Sequence, residues 1–492
     1  MSEGVVRVDR DEVFLEFTRS ICPVCKRVID AEVNARDNRV ILRKRCAEHG
    51  VFEALVYSDA QAYLAQQRFN KPGTLPLELQ TEIDEGCPLD CGICPAHKQH
   101  ACLGIIEVNS ACNLDCPVCF ADSGRHHPDH FSLTREQFAR MLEAFVAAEG
   151  EPEVIQLSGG EPTIHPQILD FVAMARERGV RIVMVNTNGI RLARDRAFAG
   201  ELAALGAHVY LQFDGLAEAT HLAMRGRDLR ELKARALEQC AAAGVGVTLV
   251  AAVEPGVNDH ELGAIVRTGV EHAAVNSVVF QPVTHAGRHG AFDPLARLTN
   301  ADVIAAVSRQ LPDWFRPADF VPVPCCFPTC RSISYALVDD GKLVPFTRML
   351  DVDEHLDYIA NRVTPDRALR TAFEQMFSSS ATPGAERALL ACESCGIDLP
   401  AALDDLERKV FMVVAQDFQD AYTLNVRQLM KCCVVEIVPD GRLIPFCAYN
   451  SVGYREQVRA QLTGVEVEPV TPNALELQDV LRPTTHGSRT AS

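Results

Sequence analysis

The 492 residues carry 66 acidic against 48 basic side chains, a net charge of −18, with 47% hydrophobic residues and a single Trp. Length asks for about two to four domains. The composition is that of a globular α/β chain, and the acidic balance speaks against a nucleic-acid backbone or an anionic membrane surface as the main partner. No apolar run approaches the roughly 18–20 residues that cross a bilayer, and the opening MSEGVVRVDRDEVF lacks a signal-peptide core. A cytoplasmic chain with no transmembrane segment is therefore expected. Nineteen cysteines are a heavy load for it. In a reducing compartment, clustered thiols hold metal more often than disulfides.

Residues 1–60 read as a rubredoxin-like or zinc-knuckle unit. Cys22-Pro-Val-Cys25 and Cys46-Ala-Glu-His49 are two chelating knuckles flanking the strand-like VILRKR. Cys22, Cys25, Cys46 and His49 would bind one metal ion, with zinc favoured over iron by the imidazole. So short a unit needs such a staple to fold. Residues 80–103 hold Cys87, Cys91, Cys94 and Cys102. Four thiolates close an auxiliary 4Fe–4S cluster and leave no open iron; zinc is the alternative.

Residues 104–290 alternate strands with helices. The strands are IIEVN, VIQLS, IVMVNT, HVYLQFD, GVTLVAAV and SVVFQPV; the helices include REQFARMLEAFVAAE, PQILDFVAMARERG and DLRELKARALEQCAAAG. The pattern predicts an α/β fold with a parallel sheet curved into a partial (βα)6 barrel, its working residues at the C-terminal strand ends. The loop after the first strand carries Cys112, Cys116 and Cys119. Three thiolates at this spacing can ligate three irons of a cubane and leave the fourth open; alone, the spacing also suits zinc. After the second strand comes Gly159-Gly160-Glu161-Pro162-Thr163. Its glycines permit close backbone approach to a ligand, and Glu161 can receive an ammonium group.

Residues 320–460 predict an α+β, cysteine-rich region. Asp340-Gly341 and Asp440-Gly441 each mark a hairpin. A two-residue turn at Asp440-Gly441 pairs Pro439 with Arg442 and sets Val434 opposite Cys447, with Cys433 diagonal to it. Cys330, Cys433 and Cys447 are the expected core of a second auxiliary cluster, with Cys325, Cys326 and Cys432 as further candidates. Cys392 and Cys395 form another knuckle, and Cys240 is a spare buried thiol. The Pro/Thr/Ser-rich residues 466–492 predict disorder.

The three-cysteine loop followed one strand later by GGEP resembles the radical S-adenosylmethionine (SAM) superfamily. The resemblance implies that the cluster on Cys112, Cys116 and Cys119 binds SAM, with Gly159, Gly160, Glu161 and Pro162 at its methionine end. It implies that Asn186, Thr187, Asn188, Gln212 and Asp214 face the nucleoside. One departure is Val118, where the superfamily is often aromatic. The C-terminal hairpin resembles half of a SPASM-type auxiliary-cluster module. Together, CPVC…CAEHG, GCPLDCGICPAHKQHACLGIIEVNSACNLDCPVCFADSG, VYLQFDG, FQPVTHAGR and CCVVEIVPDGRLIPFCAYN resemble the pterin-methylating radical SAM proteins, a group that contains the archaeal tetraether lipid synthase. That likeness implies several 4Fe–4S clusters, an electron donor such as flavodoxin or ferredoxin, and carbon–carbon bond formation or alkylation on a small-molecule or lipid substrate. Two other readings stand beside it: a peptide-modifying enzyme of SPASM type, and a non-catalytic metal-binding scaffold, which has no need of GGEP.

Overall fold

At the N-terminus, β1 (Val13–Ile21), β2 (Val28–Arg36), β3 (Arg39–Cys46) and β4 (Gly50–Tyr57) pair antiparallel in chain order. Asp37 and Asn38, both at positive φ, turn β2 into β3, a conformation that Asp and Asn tolerate. One face buries Val33, Val40, Leu42 and Tyr57 against Tyr63 of α1 (Ala60–Gln66). The coordinates are a computed structural model that describes residues 11–124, 130–339, 341–348 and 410–464. Cys392, Cys395 and the 466–492 tail lie outside the described residues.

The six expected parallel strands are present: β5 (Leu103–Asn109), β6 (Val154–Gly159), β7 (Ile182–Thr187), β8 (Ala207–Gln212), β9 (Val247–Val253) and β10 (Val275–Pro282), each beside the next. Between them run α2 (Arg135–Glu149), α3 (Ile168–Glu177), α4 (Ile190–Arg194), α5 (Arg196–Ala204), α6 (Glu218–Arg225), α7 (Arg230–Ala243) and α8 (Leu262–Glu271), with α9 (Asn300–Gln310) following β10. Helix α2 starts at a Thr134/Gln137 capping box, and α7 stops at Gly244 in the left-handed region, as such residues dictate. Strand side chains alternate. Ile106, Val108, Ile155, Leu157, Val183 and Val209 point outward into the helix layer, packing with Phe138, Phe145 and Phe171. The opposite face of the sheet encloses the barrel interior.

The C-terminal region does not fold apart. β11 (Val321–Pro322), β12 (Arg331–Asp339), β13 (Lys342–Pro345), β14 (Val410–Gln416), β15 (Val434–Ile437) and β16 (Leu443–Pro445) join the barrel strands in one 12-stranded sheet. β14 pairs parallel with β10, and β15 pairs parallel with β5, so this region flanks both edges of the barrel sheet.

Both repeated hairpins form, but the second departs from the expected register. Val435 faces Pro445 and Ile437 faces Leu443, while Val438 N–H donates to Arg442 O at 3.1 Å. The loop is therefore Pro439-Asp440-Gly441, one residue longer than a tight two-residue turn, which slips the pairing by one. Pairing ends at Pro445, and Cys447 lies on the helix Phe446–Val452 instead of on a strand.

Candidate active site and metal centres

The inward positions of the barrel strands include the polar residues Glu107, Gln156, Ser158, Asn186, Gln212 and Gln281 among apolar ones such as Ile105, Val250 and Ala252. They line a cavity of about 280 Å3 that also takes in Cys112, Cys116 and Cys119 at its mouth and Leu103 and Val434 at its floor. A barrel interior with this many amide and carboxyl groups is built to hold a ligand and not to pack as a core. The alternation that produces it is written in IQLS, YLQ and FQ, where Ile155, Leu157, Leu211 and Phe280 turn out and Gln156, Ser158, Gln212 and Gln281 turn in.

The cysteine loop is tied down by backbone bonds. Gly160 N–H donates to Asn109 O at 2.8 Å, and Glu161 N–H to Ala111 O at 2.9 Å. A Cβ on Gly159 would stand 2.1 Å from Asn109 O, and one on Gly160 2.2 Å from Ala111 O. The two glycines are thus required by the neighbouring strand end, a constraint additional to any close approach of a ligand in the cavity they line. The far side of the loop is held by Arg288, whose Nε donates to Cys116 O at 2.7 Å and whose backbone exchanges two bonds with Cys119. Gly287, at φ +67°, allows this approach, since a Cβ there would meet Cys119 O at 2.5 Å.

Glu161 is fully buried and accepts from Thr163 N and Oγ1, Thr187 Oγ1 and Asn188 N at 2.5–3.1 Å. It links the turn after β6 to the turn after β7. Burial pushes its carboxyl up, against the pull of those donors. Gly159, Gly160, Glu161, Asn186, Thr187, Asn188 and Gln212 all line the cavity.

Asp214 and Pro162 do not line it. Asp214 is buried against Arg225, which donates from Nε and Nη2 at 2.7 Å each, and from Nη1 to Val118 O at 3.1 Å. Burial opposes ionisation of Asp214, but Arg225 prevails and holds it below the usual carboxylate range. The expectation that Asp214 faces a nucleoside is therefore corrected: it anchors the arginine that braces the cysteine loop. Sequence reasoning also missed Lys233. This buried residue donates from Nζ to Asn188 O at 2.6 Å, and burial lowers it to about 8. Its only trace in the sequence is a lysine on the inward face of α7.

The donor set suits an iron–sulfur cluster. Three thiols from one short loop face the cavity, and Leu114 N–H and Ser123 N–H donate to Cys112 Sγ and Cys119 Sγ at 3.5 and 3.4 Å. Arg225 sits close enough to favour the Cys116 thiolate against the effect of burial. Amide and cation contacts of this kind are what cluster thiolates receive.

The other cysteines sort into separate groups. Cys22, Cys25, Cys46 and His49 bring their ligand atoms within 4.8 Å of one another, a compact set of three sulfurs and one nitrogen that suits a tetrahedral zinc site. Cys87, Cys91 and Cys94 surround a small cavity of about 20 Å3. Cys102 does not join them. Its sulfur lies 4.0 Å from Cys325, which lies 3.8 Å from Cys433, and these three form a group of their own. The reason is the β5–β15 pairing, which places Leu103 beside Val434 and so brings the preceding cysteines together.

Of the expected trio, Cys433 is also in reach of Cys326, and Cys330 senses the charge of Cys447. Cys447 is in hydrogen-bonding reach of Cys432, and Cys330 of Cys326. Cys240 is a buried thiol of the helix layer.

Comparison with known proteins bears on this geometry. A model of the radical SAM superfamily matches residues 106–269, and one of the HMPTM N-terminal zinc ribbon domain matches residues 14–58. The 7,8-dihydro-6-hydroxymethylpterin dimethyltransferase of Methanocaldococcus jannaschii is 32% identical over 488 residues, covering 91% of this chain and 95% of that protein. The Fe-coproporphyrin III synthase of Methanosarcina barkeri is 31% identical over 170 residues, covering 34% of this chain and 39% of its own. Among solved structures, Streptococcus suis SuiB bound to S-adenosylmethionine is similar at 14% identity and a TM-score of 0.36, over 44% of this chain and 47% of that one.

Proposed function

The chain belongs to the radical SAM superfamily, within the family of the pterin dimethyltransferase that carries an HMPTM zinc ribbon, and from that premise we propose that it alkylates a reduced pterin at an unactivated carbon. It is an enzyme whose cofactors are a 4Fe–4S cluster and SAM, with further metal at its other cysteine groups. The observation that carries the pterin reading is the match to the dimethyltransferase along nearly the whole of both chains. The cavity sets a few polar groups, among them Glu107, Gln156, Asn186 and Gln212, in a largely apolar wall, an arrangement that can hold and orient a flat heterocycle.

When bound, the cluster and SAM together supply a reactive carbon radical by one-electron cleavage of SAM. The protein's own groups do the rest. Cys112, Cys116 and Cys119 present their sulfurs from a loop braced by Arg225 on one side and Arg288 on the other. Asn186, Asn188 and Gln212 offer amide donors and acceptors to the nucleoside. Lys233 brings positive charge beside Asn188 and Gln212. Phe120, stacked on Phe446 at 5.2 Å between ring centroids, gives the cavity an aromatic wall. Cys87, Cys91 and Cys94 form one auxiliary metal centre, and Cys102, Cys325 and Cys433 another.

The test is to incubate reduced, anaerobically reconstituted enzyme and SAM separately with deuterated 7,8-dihydro-6-hydroxymethylpterin, isoprenoid lipid and candidate peptides. Deuterium transfer from the pterin into 5′-deoxyadenosine is expected. Product formation or deuterium transfer into 5′-deoxyadenosine from lipid or peptide alone overturns the reading.

A further inference from the structure

Glu436 occupies the middle of β15, the strand that the C-terminal region adds beside β5. Its neighbours Val435 and Ile437 point into the helix-layer core, so by strand alternation Glu436 points into the cavity, which it lines. It is 1% exposed. One carboxyl oxygen, Oε1, accepts from Glu107 N–H at 3.1 Å. The other, Oε2, is buried without a hydrogen-bond partner.

Neighbouring cations are already engaged. Glu107 accepts from Tyr449 Oη at 3.1 Å and from Arg455 Nε at 3.2 Å, and Arg459 stands 3.3 Å away on the same carboxylate. Arg455 and Arg459 outweigh burial and keep Glu107 ionised. Burial and the adjacent Glu107 charge together drive the Glu436 carboxyl well above the carboxylate range, so it is held as the neutral acid. With Oε1 facing the Glu107 amide, the proton resides on Oε2 and has no acceptor among the described residues. A buried donor without an internal acceptor is a cost to the fold. It is explained when a ligand supplies the acceptor.

We propose that Glu436 is a substrate-recognition residue of this cavity, donating from Oε2 to the ring carbonyl on the lactam edge of a bicyclic nitrogen heterocycle. The assignment rests on the pterin reading above and names the atom by which the chain identifies that substrate. It also sets an orientation. The lactam edge lies against β15, away from the cysteine loop, so the opposite, substituted edge of the heterocycle is presented toward Cys112, Cys116 and Cys119. A site built around a buried hydrogen bond rejects an analogue that cannot form it, because its own polar group is then left unpaired.

The experiment uses anaerobic holoenzyme and equilibrium dialysis with 7,8-dihydro-6-hydroxymethylpterin and its 4-amino analogue, in which the ring carbonyl is replaced by a donor. SAM binding is measured in parallel as the control for an intact site. Wild type should prefer the 4-oxo compound by about tenfold or more. Glu436→Gln should keep both affinity and preference, since Glu107 N–H retains the amide oxygen and leaves N–H in the cavity. Glu436→Ala should lose about tenfold in 4-oxo affinity and most of the preference, with SAM binding unchanged. Glu436→Leu takes the place of the alanine variant if that chain fails to hold its iron. Pterin binding with an unchanged 4-oxo to 4-amino ratio in the Ala or Leu variant overturns the role of Glu436 and leaves the pterin reading standing. Absence of pterin binding in wild type overturns the reading itself, and this inference with it.

Discussion

Arg225 grips Asp214 through two parallel hydrogen bonds of 2.7 Å and spends its remaining nitrogen on Val118 O, one residue before the last cysteine of the loop. Both partners are almost fully buried. Removing one half of such a pair strands a charge, which costs about 3–5 kcal/mol. Arg225→Ala should therefore lower thermal stability and reduce iron retained by the loop, read as the EPR amplitude of the reduced cluster. Arg225→Lys should recover only part of both, since an ammonium cannot reproduce the fork. A full EPR amplitude in the Ala variant would falsify the bracing role.

Replacing Cys112, Cys116 and Cys119 together by Ala should abolish reductive SAM cleavage while other iron signals persist. Cys102→Ala with Cys433→Ala should do the reverse, losing iron but keeping SAM cleavage. The iron and sulfide content of each variant, set beside its 5′-deoxyadenosine yield, separates the two groups. Loss of cleavage in the Cys102/Cys433 variant with full cleavage in the loop variant would exchange the assignments.

The N-terminal sheet has one small apolar face and four ligand atoms gathered at one end. Metal binding is therefore a large part of its folding energy. Cys46→Ser should drop zinc by one equivalent per chain and make residues 13–57 sensitive to protease, with the barrel clusters still detectable. Unchanged zinc by mass spectrometry would count against this site.

Lys233 offers a pH test. Its folded value is about 8 because of burial, below the unfolded value of about 10.4. Below pH 8 both states hold the proton and the cost of burying the charge is complete. Between about 8 and 10.4 the unfolded chain binds more proton, so stability rises with pH, by at most about 1.4 kcal/mol per unit. Lys233→Met should flatten that rise. Urea titrations of both chains from pH 7.5 to 10.5 measure it, and equal slopes would exclude the lysine as its source.

The barrel was legible because its signals are local. Each strand alternates, each long helix has an apolar stripe, and caps such as Thr134 and Gly244 stand where helices start and stop. The loop cysteines are legible from their spacing together with GGEP one strand later, and the ribbon ligands from two knuckles flanking one strand. What escaped was set by distant pairing. Cys102 looks like the fourth member of the 87–94 group until β15 lies against β5 and draws it to Cys325 and Cys433. Cys447 looks like a strand residue until the helix beginning at Phe446 removes it from the hairpin. Asp214 reads as a ligand contact because nothing in VYLQFDG announces that Arg225, on the next helix, will claim it. Glu436 reads as one polar residue in an apolar strand, and only the edge it pairs with reveals what it faces.

The three thiols of Cys102, Cys325 and Cys433 also mark time along the polypeptide. The ribosome delivers the first before any barrel strand, the second after the last of the six, and the third only with the strand that covers the β5 edge. A nascent chain can thus fold its N-terminal ribbon and lay down most of its sheet while this centre is still without its third sulfur. The centre records that synthesis has run through residue 433, and a chain released before that point would lack both this centre and the wall of the cavity that carries Glu436.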